Sequence, residues 1–285
     1  MEKVYIESGK LKAGISVFGA ELASLVDKET GHEYIWTGDP EIWKGQSPWL
    51  FPFIGKLNGG KYKVGDQEYE MPSHGFASKM NFVIERITKD AVTLCLPASS
   101  KTISAYPWRF RLWLRYQITD ENLTVSCKVT NEDNKDMYFS LGGHPGFNAE
   151  AGDKLVFGAG EKMYVRRLEM PSHLLKEGAF GEFDGEIELD GDLFSDDAML
   201  FEAPASEKCT LKRKNGKNIS LVYGHVTWLG VWSRSRKDLK YVCVEPWFGV
   251  DDLVGFTGDV SEKTGIECLK SGEKFELKMT FIPEI

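Results

Sequence analysis

An all-β fold is predicted by three features of the chain. Apolar and polar residues alternate strictly over two adjacent segments, hairpin-type turn dipeptides separate others, and no helical stripe exceeds about two turns. Over residues 108–118 the even positions are Trp108, Phe110, Leu112, Leu114, Tyr116 and Ile118. Arg109, Arg111, Arg115 and Gln117 hold most of the odd ones. Such a strand turns one face to a core and the other to water, as in a half-buried antiparallel sheet. After the polar turn Thr119-Asp120-Glu121-Asn122, residues Leu123, Val125, Cys127 and Val129 alternate with Thr124, Ser126, Lys128 and Thr130. The two segments make a hairpin.

Other elements follow the same grammar. Asn215-Gly216, between residues 209–213 and 219–223, is the strongest type I′ hairpin signal. Gly65-Asp66 links 62–64 to 67–69, and the last strand alternates Phe275, Leu277, Met279 and Phe281 with charged neighbours. The best short helical candidates are 40–44 and 170–175. Residues 178–192 read as a Gly/Asp/Glu-rich surface excursion carrying a short strand at 186–189. No internal repeat or Pro/Ser-rich hinge appears, so one domain spanning 1–285 is expected.

Bulk properties narrow the function. A chain of 285 residues is ordinary for a large β-sandwich or barrel and buries roughly three quarters of its unfolded surface. The net charge of −8 disfavours nucleic acid as a partner. The polar start of the chain and the absence of an apolar run near 18 residues disfavour a signal peptide or a membrane span. Five scattered cysteines, with no C-x-x-C pair, read as buried reduced thiols in a cytoplasmic protein.

Two segments break the strand pattern in a chemically suggestive way. In Leu141-Gly142-Gly143-His144-Pro145-Gly146-Phe147-Asn148, glycines allow close approach of a ligand, and Pro145 holds His144 extended at a strand end. In Tyr241-Val242-Cys243-Val244-Glu245-Pro246-Trp247, an apolar strand runs into Glu245 and again a proline follows. Carboxylates are seldom placed in apolar strands without a partner or a purpose. A carboxylate accepts a proton and a protonated imidazole donates one, so His144 and Glu245 suit acid/base work. His74, in Ser73-His74-Gly75-Phe76, either hydrogen-bonds a substrate hydroxyl or is a turn histidine; Lys56 is either a substrate donor or an exposed strand-end lysine. Trp247, Phe147 and Phe76 beside these polar groups fit a carbohydrate site, because sugars stack their C–H faces on aromatic rings. No G-x-S-x-G elbow, P-loop or dinucleotide fingerprint occurs. A metal set of His74, His144 and Glu245 lacks tight local spacing, so no metal and no other cofactor is expected.

Taken in order, Gly19-Ala20-Glu21-Leu22, Phe51-Pro52-Phe53-Ile54-Gly55, His74-Gly75-Phe76-Ala77, Gly142-Gly143-His144-Pro145-Gly146-Phe147-Asn148 and Glu245-Pro246-Trp247 with Asp251 resemble the aldose 1-epimerase (galactose mutarotase-like) family, in its shorter bacterial branch. The resemblance implies a large antiparallel β-sandwich, the supersandwich of galactose mutarotase-like proteins, whose open concave face binds a pyranose. It implies that Glu245 is the general base at the C1 hydroxyl, that His144 is the general acid at the ring oxygen, and that His74 orients the sugar. Asp197, with Asp196 as the alternative, is the implied aspartate for ring hydroxyls. The chain departs from the family pattern at Lys56 and at Ser78-Lys79, where arginines are usual. A bidentate fork becomes a point contact there, which weakens the case for a phosphorylated substrate. A free hexose is therefore the expected substrate, with a hexose 6-phosphate, or plain carbohydrate binding without catalysis, as alternatives. Nearby carboxylates are expected to keep His144 protonated.

Overall fold

The alternating hairpin is the middle of a nine-stranded antiparallel sheet. A computed structural model of the chain describes residues 2–158, 160–234 and 238–285. In it Phe110–Ile118 pairs with Leu123–Asn131, Leu114 lying opposite Cys127, and Leu123–Asn131 pairs onward with the last strand, Lys274–Pro283. Ala91–Pro97 and Val83–Ile87 extend the sheet on one side. On the other side lie Ile219–Val222, Lys208–Lys212, Lys154–Val156 and Glu186–Glu188. The even residues of 110–118 are buried, as their alternation requires.

A second antiparallel sheet of eight strands packs against the first. Its path runs Glu182–Asp184, Lys162–Arg166, Met199–Glu202, Trp228–Trp232, Tyr241–Phe248, Leu141–Gly143, Trp49–Leu50, with Gly146–Asn148 also on Tyr241–Phe248. One continuous apolar cluster fills the space between the sheets, with Leu112, Val125 and Phe281 from one side and Leu229, Val231, Val242 and Val244 from the other. Trp49 Nε1 donates to the Tyr116 hydroxyl at 2.9 Å, and that hydroxyl donates to the Ala20 carbonyl at 2.7 Å. The buried polar groups between the layers are thus satisfied in series. This is the β-sandwich expected from the sequence.

Three expectations need correction. Neither helical candidate is a helix: 40–44 is a turn, and 170–175 is the tip and return arm of a hairpin between Leu168–Glu169 and Leu174–Leu175. Stretches of five or six residues scarcely nucleate a helix without strong capping. The α-helix among the described residues is Ser100–Ala105, closed by a capping box between Ser99 and Thr102. The strand expected from Trp108 begins at Phe110, because Trp108 is drawn aside to donate to the Asp136 carbonyl at 2.7 Å. Cys268 is exposed, whereas the other four cysteines are buried, and all five are free. No helix among the described residues is long and apolar enough to cross a membrane.

Candidate active site

The strand Tyr241–Phe248 is buried on both faces, so its residues do not alternate in polarity. Its even residues, Val242 and Val244, enter the core between the sheets. The odd side, with Cys243, Glu245 and Trp247, faces the other way. Glu245 therefore leaves the core side of its own sheet and lines a cavity of about 420 Å³, a size typical of small-molecule sites. Contrary to the sequence expectation, Glu245 is not at a strand end, since Pro246 continues the strand to Phe248.

Both prolines sit at one gap in the ladder. Gly142 lies opposite Trp247 and Gly146 opposite Cys243, so with register kept across the interruption His144 falls opposite Glu245. Pro145 and Pro246, which cannot donate ladder bonds, occupy this gap, where the His144 amide turns instead to the Pro48 carbonyl at 3.0 Å. On the other flank Gly230 lies opposite Glu245. The glycines at 142 and 230 make room for the Trp247 indole, which lies across both strands. A Cβ at Gly142 would come within 2.4 Å of Trp247 Cδ1, and one at Gly230 within 3.0 Å of its six-membered ring.

The resulting pair is close and dry. His144 Nε2 and Glu245 Oε2 are 3.1 Å apart, and the side chains are 10% and 2% exposed. The approach is off-line for a hydrogen bond, so Oε2, together with His144 Nδ1 and Trp247 Nε1, has no hydrogen-bond partner among the described residues. Three unsatisfied buried polar atoms around one cavity mark the place where ligand hydroxyls would complete the bonding. Burial pushes Glu245 well above the usual carboxylate range, with Asp197 and Asp251 adding to the rise. His144 is pushed down, first by burial and then by His74. The expectation that carboxylates keep His144 protonated thus fails, because desolvation outweighs them. Burial opposes the charged form of each group, so a carboxylate–imidazolium form of the pair depends on their 3.1 Å approach.

His74 reaches the cavity from a turn at φ 62°, its ring centroid 5.8 Å from that of His144. Gly55 N donates to His74 Nδ1 at 3.1 Å, which leaves the ring proton on Nε2. Desolvation first and Lys79 second lower its pKa to about 4. A folded-state pKa below the unfolded one means that His74 contributes stability above pH 6.5, lost as pH falls through the window to about 4. Chemical denaturation at pH 7 and pH 4.5 should show that His74→Gln loses less stability over this interval than the parent chain. Equal losses in the two proteins would refute the assignment.

Lys56 lines the cavity on the next turn. Its amide donates to Asp251 Oδ1 at 2.6 Å, and burial first of all raises Asp251 to about 6. Gly55, at φ 64°, is indispensable here because a Cβ would fall within 1.9 Å of that carboxylate. Asp197 also lines the cavity, as do Trp247 and Lys79. Neither Lys56 nor Lys79 forms an ion pair among the described residues.

Of the residues singled out from the sequence, Glu245, His144, His74, Lys56, Asp197 and Trp247 are brought together. Phe147 is not. Gly146–Asn148 pairs with the 241–243 part of its neighbour so that Phe147 stands opposite Val242, on the core side, where its ring packs 6.0 Å from Phe281. Phe76 is likewise committed to an aromatic cluster with Phe51 and Phe110. The aromatic walls come instead from Trp43 and Trp232. Trp43 stacks on His144 at 5.1 Å and on Tyr241 at 5.2 Å, and Trp232 meets His144 edge-on at 5.7 Å. His173 was also missed, and no local motif marks it. The donor atoms of His144, Cys243 and Glu245 lie within 4.8 Å of one another, which makes them the set best placed to take a metal ion.

Comparison with known proteins identifies the family and the fold. A family model described as aldose 1-epimerase matches residues 2–281. The chain belongs to the aldose 1-epimerase family. Among curated relatives, the chromosomal protein LacX of Lactococcus lactis subsp. lactis is 30% identical over 264 residues, 87% of this chain and 88% of that protein. Two solved structures share the whole fold of this aldose 1-epimerase family member. A galactose mutarotase-like protein from Lactobacillus casei superposes with a TM-score of 0.93 at 31% identity, over 99% of this chain and 100% of the other. A galactose mutarotase related enzyme from Lactobacillus acidophilus gives 0.92 at 29% identity, over 100% and 98%.

Proposed function

We propose that the protein is an aldose 1-epimerase, a mutarotase that interconverts the α and β anomers of a free hexose. The observation that carries this is the His144–Glu245 pair, an imidazole and a carboxyl group 3.1 Å apart at the floor of an aromatic-walled cavity. Glu245, as carboxylate, takes the proton from the C1 hydroxyl while His144, as imidazolium, gives one to the ring oxygen. The C1–O5 bond breaks as the C1 carbonyl forms. Rotation about C1–C2 presents the other carbonyl face, and the ring recloses with the two proton transfers reversed. Each transfer contributes roughly 10²- to 10⁴-fold, and hemiacetal opening demands neither a nucleophile nor a redox group. Trp247 beneath the pair offers a face for the sugar's C–H groups, and Asp197, His74 and Lys56 offer partners for its hydroxyls.

Polarimetry on freshly dissolved α-glucose and α-galactose tests the proposal. The protein should speed the decay of rotation at catalytic concentration, and an unchanged decay for every aldose tried would overturn it. Calorimetric sugar binding without such acceleration would favour a carbohydrate-binding protein. A second substrate, a hexose 6-phosphate, is favoured by the two unpaired lysines at the cavity. NMR exchange spectroscopy with matched free and phosphorylated hexoses decides between them, since the preferred one has the higher kcat/KM.

A further inference from the structure

Five non-glycine residues among those described have positive φ, and three of them, His74, His173 and Asp197, line the one cavity. Backbone held in this region is uncommon outside glycine and concentrates where a side chain must be aimed. His74 is already tied to Gly55. The other two meet each other: His173 Nδ1 lies 2.5 Å from Asp197 Oδ2, across 24 residues of chain. They come from unrelated loops. His173, at φ 56°, ends the turn between Leu168–Glu169 and Leu174–Leu175, its amide donating to the Glu169 carbonyl at 2.6 Å. Asp197, at φ 70°, follows the short helix Asp192–Phe194, and its Oδ1 accepts from Ala198 N at 2.9 Å.

The hairpin that carries His173 is fastened to the catalytic wall. Leu175 N donates to the Asp252 carbonyl at 2.8 Å and Val254 N to the Leu175 carbonyl at 3.1 Å. Asp252 N in turn donates to the Lys56 carbonyl at 2.9 Å, and the buried Lys263 ammonium anchors Asp252 at 2.9 Å. The side chain held this way is 32% exposed and lines the cavity. With Nδ1 engaged by a carboxylate, the neutral ring carries its proton on Nδ1 and keeps a lone pair on Nε2. No hydrogen bond to Nε2 is present among the described residues.

We infer that His173 is a substrate-binding, specificity-determining residue: Asp197 fixes its ring so that Nε2 accepts a hydrogen bond from one ring hydroxyl, beside a second hydroxyl bound by Asp197 itself. The inference rests on the proposal that the cavity binds an aldose. The dyad sets two acceptors side by side, so it selects sugars whose neighbouring hydroxyls both donate toward this wall. Among the described residues no hydrogen bond, ion pair or ring contact joins His173 to His144 or Glu245, and its loss acts on binding.

The test combines three variants with a panel of monodeoxy hexoses, measuring KM and kcat by NMR exchange and sugar affinity by calorimetry. His173→Ala should raise KM about tenfold, the loss of one hydrogen bond, with kcat within about threefold. The parent protein should lose a similar factor on one particular deoxy sugar, and on that sugar His173→Ala should cost nothing further. His173→Asn, whose amide nitrogen replaces Nδ1, keeps the Asp197 contact and should show the same pattern without loss of thermal stability. His173→Gln reaches the Nε2 position and should recover part of the affinity. Unchanged KM in His173→Ala and His173→Asn, or equal losses on every deoxy sugar, overturns the role of His173 while leaving the mutarotase proposal intact. A parent protein that neither turns over nor binds any aldose overturns both.

Discussion

Glu245→Gln is expected to slow mutarotation by about 10³-fold while sugar affinity stays within a few-fold of the parent. The amide keeps the shape of the carboxyl group but accepts no proton at neutral pH. Stability should be unchanged or slightly higher, because Glu245 is buried, 2% exposed, and held well above its ordinary pKa. A neutral amide avoids the cost of that burial. Polarimetry with a thermal melt on the same preparation separates the two effects. A variant that retains most of the parent's kcat removes Glu245 from the chemistry.

His144→Asn should cost about 10²- to 10³-fold in kcat. The loss is smaller because the leaving ring oxygen is protonated by water more readily than the C1 hydroxyl is deprotonated by it. Asn also removes one of the two rings stacked on Trp43, so a modest drop in melting temperature is expected. The decisive comparison is the double variant Glu245→Gln with His144→Asn. Two groups that act on the same bond cleavage behave as a unit, so the double variant should be little slower than Glu245→Gln alone. Losses that multiply across the two sites would show that the residues act independently.

How much of this could be read from the sequence follows from what burial does to a pattern. The hairpin of Phe110–Ile118 and Leu123–Asn131 was legible because one face meets water, as was the terminal strand Lys274–Pro283. Tyr241–Phe248 was harder, since burial on both faces erases alternation and conceals that Glu245 stands mid-strand. The six residues of Ser100–Ala105 are too few to show a helical period, and the apolar spacing of Met170 and Leu174 imitates one without forming it. Within the site, the types of chemistry were visible in His-Pro and Glu-Pro, each at a break in ladder donation. Their adjacency was not, because it depends on a register set by Gly142 and Gly146 against a strand a hundred residues away. The same register decides the parity of Phe147 and sends it to the core. His173 and Trp43 belong to loops with no signature, and only the tertiary fold brings them to His144 and Asp197.

The floor of the cavity owes its depth to two residues that contribute no side chain. Trp247 can lie flat only because strands on either side carry hydrogen at positions 142 and 230, where a methyl group would press on the indole from 2.4 Å and 3.0 Å. An alanine at either place would tilt that ring upward and make the hollow shallower, so that bulkier substituents on the pyranose no longer clear it. The two positions differ in one respect: a methyl group at 230 would also press on Glu245 Cβ from 3.3 Å, whereas one at 142 would meet Trp247 and Ile54 and spare the proton-handling pair.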